Sequence, residues 1–168
     1  PDGTLYLMDM YHGIIQDAQF VGGPGSYLRR KVAQYDLDKQ HNMGRIWRIT
    51  YEGMTPDRTQ PRMYSETPAQ LVAHLGHPNG WWRDTAQKLL VLKQDKSVVP
   101  ALKTMVAPAG ANGGGGQLAR IHAMWTLEGL SALDAPTVRT LLKDADPKIR
   151  IQAIRASETL YKAGDKSF

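Results

Sequence analysis

The chain of 168 residues contains no cysteine. That excludes disulfides, cysteine–zinc sites, iron–sulfur clusters and covalently attached c-type haem within these residues. It leaves the redox compartment open. No apolar run approaches the roughly 18–20 residues a helix needs to cross a bilayer, so no membrane span is read here. No signal peptide is visible, which on a piece of a longer protein says nothing about the whole. Cations are not gathered either. Lys and Arg number 21 against 16 Asp and Glu, a net charge of +5, and the one short cluster is Arg29-Arg30-Lys31. A nucleic-acid surface needs its cations on one face, so the charge reads as a solvated surface and no nucleic-acid partner is expected. A nucleotide cradle is missing as well. The glycine-rich stretch Ala109–Gly116 runs into Gln117-Leu118, where a phosphate loop has Gly-Lys-Ser/Thr. It reads as a mobile loop.

What is present divides into two halves with different periods. Residues 1–52 read as strands and loops. Thr4–Met10 places Leu5, Leu7 and Asp9 on one face and Tyr6, Met8 and Met10 on the other, the alternation of a strand. Gly44–Tyr51 is a second strand, with Trp47, Ile49 and Tyr51 on one side and Arg48 and Thr50 on the other. Between them, Gly22-Gly23-Pro24-Gly25 breaks regular structure and Ser26–Tyr35 reads as one short helix. A strand at the very start of the chain has no preceding partner, and a lone strand cannot satisfy its edges. The expectation is a piece of a longer protein that begins inside a β-domain. Residues 53–66 read as a polar, proline-containing linker.

From Thr67 the period is helical. Thr67-Pro68-Ala69-Gln70 carries a threonine N-cap, proline at the first position and glutamine three residues after the cap. An Arg-x-x-Ala pattern then recurs at Arg83–Ala86, Arg120–Ala123 and Arg150–Ala153. Aligning these stacks Trp82, Ala119 and Ile149, then the three alanines, then Leu89, Thr126 and Ala156. Each such helix follows a shorter one, over Ala69–Leu75, Val98–Val106 and Pro136–Leu142. Paired helices at this period predict a HEAT-like α-solenoid of about three helix pairs over residues 67–168. The small alanine lets helices approach closely, and the arginine is expected to reach carbonyls or an acid in the next repeat.

The strand with Asp9-Met10-Tyr11-His12-Gly13-Ile14-Ile15-Gln16, then Tyr27-Leu28-Arg29-Arg30 and Gly44-Arg45-Ile46-Trp47-Arg48-Ile49, resembles the end of the β-propeller in large exported dehydrogenases of planctomycete and verrucomicrobial type. Their propeller is similar to soluble quinoprotein sugar dehydrogenases. The junction His77–Asp84, followed by Ala86–Leu90, looks like theirs too. The resemblance covers roughly residues 1–160. It implies a mixed fold, terminal β-propeller strands (residues 1–52) followed by an all-α HEAT-like solenoid. It implies a periplasmic or exported oxidoreductase acting on a sugar or related alcohol, inactive as this piece alone. The cofactors it implies lie outside the chain: pyrroloquinoline quinone and calcium in the propeller, and haem c on a separate domain. The partners would be the rest of that propeller and a cytochrome c domain or another protein.

Alcohol oxidation needs a base to take the hydroxyl proton as hydride leaves. His12 has a suitable intrinsic pKa, and Asp9 is placed to orient it. Both sit where a strand gives way to a loop. The alternative is that Asp9 caps the loop's backbone amides while His12 packs on neighbouring structure. Arg29 and Arg45 are candidates to hold an anionic cofactor, since guanidinium pairs bidentately with carboxylates; the alternative is a salt bridge. Gln16 is a candidate hydrogen-bond partner for a sugar or for a loop carbonyl. His74 and His77 lie close together, but no third metal ligand stands at a clear spacing. The other class of function is a non-catalytic protein-interaction module whose helices present a binding face.

Overall fold

The computed structural model describes residues 2–13, 23–108 and 115–168. Gln16 and most of the glycine-rich stretch lie outside these described residues. The chain divides into two compact units, Asp2–Arg58 and Thr59–Phe168.

In the first unit, β1 (Leu5–Asp9) pairs antiparallel with β2 (Arg45–Ile49). The register sets Leu5 opposite Ile49, Leu7 opposite Trp47 and Asp9 opposite Arg45 on one face; Tyr6 opposite Arg48 and Met8 opposite Ile46 lie on the other. Asp2 fixes the entry. Its carboxylate accepts from the Thr4 backbone N–H at 3.0 Å, the Thr4 hydroxyl at 2.7 Å and the Tyr6 hydroxyl at 3.0 Å. The bonds from Thr4, chiefly, hold its pKa down at about 2. Helix α1 (Tyr27–Gln34) starts at Ser26, whose hydroxyl accepts from Arg29 N–H at 3.1 Å. None of the described residues of this unit is buried. Met8 is 79% exposed and Ile46 72%.

The second unit has a continuous core. Helices α2 (Pro68–His74), α4 (Val99–Val106) and α6 (Ala135–Leu141) are short, and α3 (Gly80–Lys93), α5 (Gln117–Gly129) and α7 (Pro147–Lys162) are long. Each short helix packs on the long one that follows, and α5 packs on both α3 and α7. Leu71, Leu75, Leu102, Leu127, Leu130, Val138 and Ile149 are fully buried between them. The aligned alanines Ala86, Ala123 and Ala153 are each 0% exposed, so the row of long helices closes over its smallest side chains. The approach is tightest at Gly129, where an added Cβ would stand 2.6 Å from a Val91 methyl.

Helix starts follow the sequence chemistry. The Thr67 hydroxyl accepts from Gln70 N–H while the Gln70 side chain accepts from Thr67 N–H, a reciprocal capping box. Asn79, Asp134 and Asp146 accept first-turn N–H groups in the same way at α3, α6 and α7. Thr67→Ala removes one accepting oxygen and is expected to cost about 0.5–2 kcal/mol, read as a lower urea midpoint with unchanged slope.

The expected combination of propeller strands and a HEAT-like solenoid is not what the structure shows. The described chain is mostly helical, with seven α-helices, and its β-structure is one two-stranded antiparallel ribbon with no propeller. The physical reason lies in what alternation encodes. A period of two specifies a strand and its faces but not how many neighbours the strand has. Leu5–Asp9 and Arg45–Ile49 meet each other directly, a pairing that the same pattern allows as readily as a blade.

Candidate functional site

At the end of the ribbon, the chain leaves β1 at Asp9 and turns. Asp9 Oδ1 accepts the Tyr11 backbone N–H at 3.0 Å, and Oδ2 accepts Trp47 Nε1–H at 3.3 Å. The Tyr11 bond, then the Trp47 bond, and the Arg45 charge opposite hold the Asp9 carboxyl below its ordinary range. Asp9 is therefore an anion committed to capping the turn and gripping β2. Arg45 directs Nη1 to the Met43 carbonyl at 2.9 Å. Gly13 N–H donates to the Gln40 carbonyl at 3.0 Å, which ties the loop carrying exposed His12 to the segment before β2.

Of the residues singled out as catalytic or cofactor-binding, the structure thus brings Asp9 and Arg45 together. His12 stands three positions further on in the loop, and Arg29 lies exposed on α1. Gln16 lies outside the described residues. Among the described residues, no three of His, Cys, Asp and Glu gather as metal ligands. His74 Nε2 instead meets Glu66 Oε2 at 2.9 Å, and His77 Nδ1 accepts the Asn79 backbone N–H at 3.0 Å. Both rings lie against Trp82, with centroids 5.1 and 5.2 Å away. Trp82 is buried, Trp81 is exposed and meets it edge-on, and Trp125 donates to Gln152 Oε1 at 3.0 Å.

Residues 1–53 match a family model described as a domain of unknown function (DUF7133). The match covers nearly the same residues as the compact unit Asp2–Arg58. No curated protein and no solved structure matches the chain.

The helical unit holds polar machinery of another kind. Arg83 Nη1 donates to the carbonyls of His77 at 2.6 Å and Pro78 at 2.7 Å. Arg150 Nη1 does the same to Asp144 at 2.7 Å and Ala145 at 3.0 Å. Both arginines therefore reach back to the turn before their own helix. The turns match in detail: Asp144 Oδ1 accepts Asp146 N–H at 2.9 Å as His77 Nδ1 accepts Asn79 N–H. Then Asn79 and Asp146 cap Trp81 and Lys148. The signal in the sequence is a side-chain acceptor, then Asn or Asp two residues on, then Arg four later, a pattern that the helical stripe does not contain.

Arg120 departs from this rule. Positions 114 and 116, where the other two carry the acceptor and the cap, are glycines. Its guanidinium reaches forward instead, donating through Nη1 and Nη2 to both carboxylate oxygens of Asp144 and through Nε to the Val106 carbonyl at 3.2 Å. Arg120 is 4% exposed and Asp144 7%. The bonds from Arg120, outweighing burial, hold the Asp144 carboxyl below its ordinary range. This buried pair joins α5 to the turn between α6 and α7. Further bonds tie α3 to α5, through Gln87 and His122 Nδ1 at 2.7 Å, and α5 to α7, through Glu128 and Thr159 at 2.6 Å. Burial lowers the His122 pKa against the opposing pull of Asp84.

Proposed function

We propose that the chain is an assembly module. In this reading Asp2–Arg58 is a docking ribbon that adds its strands to a further β-sheet, and Thr59–Phe168 is the scaffold that carries it. One observation supports the reading above others: among the described residues of Asp2–Arg58 none is buried, although Leu5, Leu7, Met8, Ile46, Trp47 and Ile49 are large and apolar. A two-stranded ribbon is marginal in water. Its outer edges offer unpaired N–H and C=O groups, and strand addition satisfies both the edges and the apolar faces. Among the described residues no helix is long and apolar enough to cross a membrane. The test is a dye that fluoresces on exposed apolar surface. Native chain is expected to bind it saturably, and Leu7→Asp with Trp47→Asp to abolish most of the signal while leaving the helical unit's thermal transition in place. Equal dye binding by the variant would remove the docking ribbon.

A second reading is that a longer, exported protein carrying this chain oxidises a sugar or alcohol with a quinone cofactor. It is supported by the resemblance of residues 4–16 and 44–49 and by the Asp9–Arg45 juxtaposition. Dye-linked oxidation by that protein should fall with His12→Ala; unchanged turnover would take His12 out of the reaction.

A further inference from the structure

We propose that the cavity beside the turn between α6 and α7 binds a small oxyanionic ligand, one carrying a carboxylate or phosphate group. The cavity holds about 850 Å³, within the range of roughly 300–1,000 Å³ usual for small-molecule sites. Its charged lining comprises Arg120, Arg139, Lys143, Asp144 and Asp146. These charges are not equivalent. Both carboxylates are hydrogen-bonded within the protein, and Asp144 is also ion-paired. Asp144 holds Arg120 through both oxygens and accepts Asp146 N–H. Asp146 accepts Lys148 N–H through Oδ1 and the Gln117 amide at 2.5 Å through Oδ2. Arg120 is spent in turn on Asp144 and the Val106 carbonyl.

Two cations remain. The Lys143 backbone N–H donates to the Thr140 carbonyl at 3.2 Å, but its side chain makes no hydrogen bond or ion pair among the described residues. Arg139 gives Nη1 to the Ser167 carbonyl at 2.6 Å and lies near Asp165, which leaves most of its five donors for a ligand. Pro108, Pro136 and Ala145 supply apolar wall between the charges. Arg120 and Asp144 offset each other, and the lining then sets Arg139 and Lys143 against Asp146, an excess of positive charge whose free donors suit an anion. The cavity's size admits one larger than inorganic phosphate. The site lies within Thr59–Phe168 and does not depend on what covers the ribbon.

The test is calorimetric titration of the full chain at low salt with inorganic phosphate and, separately, with citrate. Saturable binding of at least one is expected, and the tighter of the two names the group the site reads. Lys143→Gln removes a partnerless side chain, so folding should be untouched, and it should weaken binding about tenfold, the worth of one charge-assisted hydrogen bond. Arg139→Gln should weaken it by a similar factor. Absence of saturable binding with both anions, or unchanged affinity in Lys143→Gln, would overturn the site.

Discussion

Asp144→Ala should lower the unfolding free energy of the helical unit by about 3–5 kcal/mol, the usual cost of removing one partner from a buried ion pair. The substitution strands the Arg120 guanidinium, 4% exposed, with only the Val106 carbonyl to receive it. It also takes the acceptor from Asp146 N–H at the start of α7. Chemical denaturation reads the loss directly. Replacing both partners, as Arg120→Met with Asp144→Leu, should be far less costly than the single change, because no buried charge is left alone. The pH dependence follows from the same pair. The folded-state pKa of Asp144 is depressed, so its contribution is present above the unfolded value of about 4. It is lost as pH falls through the lower folded value. Wild-type stability should therefore drop more steeply below about pH 4 than that of the double replacement. Equal acid slopes would show that the pair contributes nothing to folding.

Leu127→Ala should cost about 2–5 kcal/mol. Leu127 is fully buried on α5, the helix that packs against α3, α4 and α7, so no neighbour can collapse into the space without moving a second interface. The informative contrast is with the ribbon. Ile46→Ala removes a side chain of the same size class from β2, but that side chain is 72% exposed. In the chain by itself it should shift the main thermal transition by less than about 0.5 kcal/mol, as an ordinary surface change does. A comparable loss for the two variants would mean that the ribbon shares the core.

How far the sequence reached can be followed along the chain. The helical half was legible because two local rules agreed there. The stripe through Ile149, Ala153, Ala156 and Leu160 marks the inward face of α7: the first three are 0% exposed and Leu160 packs, partly buried, against the core. The Thr67–Gln70 capping box is formed as the residues suggest. The arginines were legible as a repeat but not in their direction. Two of the three turn back to their own helix's entry, because the acceptor lies in the turn rather than in the next pair. Arg120 alone of the three reaches an acid in the following pair; positions 114 and 116, where the other repeats carry the acceptor and the cap, are glycines without side chains.

The ribbon was legible in its strands and opaque in its surroundings. Leu5, Leu7 and Asp9 do share a face, and Trp47 and Ile49 lie opposite Leu7 and Leu5. The number of strands beside them is a long-range property that no local alternation encodes. The place of Asp9 and His12 where a strand gives way to a loop suggests that Asp9 orients His12, with capping of the loop's backbone amides as the alternative, and a capping bond is what Asp9 makes to Tyr11. Its second bond, from the Trp47 indole, comes from the paired strand, a long-range neighbour that local sequence does not name.

Thr59–Phe168 folds around its own core, whereas the described residues of Asp2–Arg58 include no buried side chain. Amide hydrogen exchange on the monomeric chain tests it most directly, since protection tracks the local free energy of opening. Strong protection in α3, α5 and α7 and near-free exchange in β1 and β2 are expected. Protection of β1 and β2 amides equal to that of α5, in a chain shown to be monomeric, would contradict it.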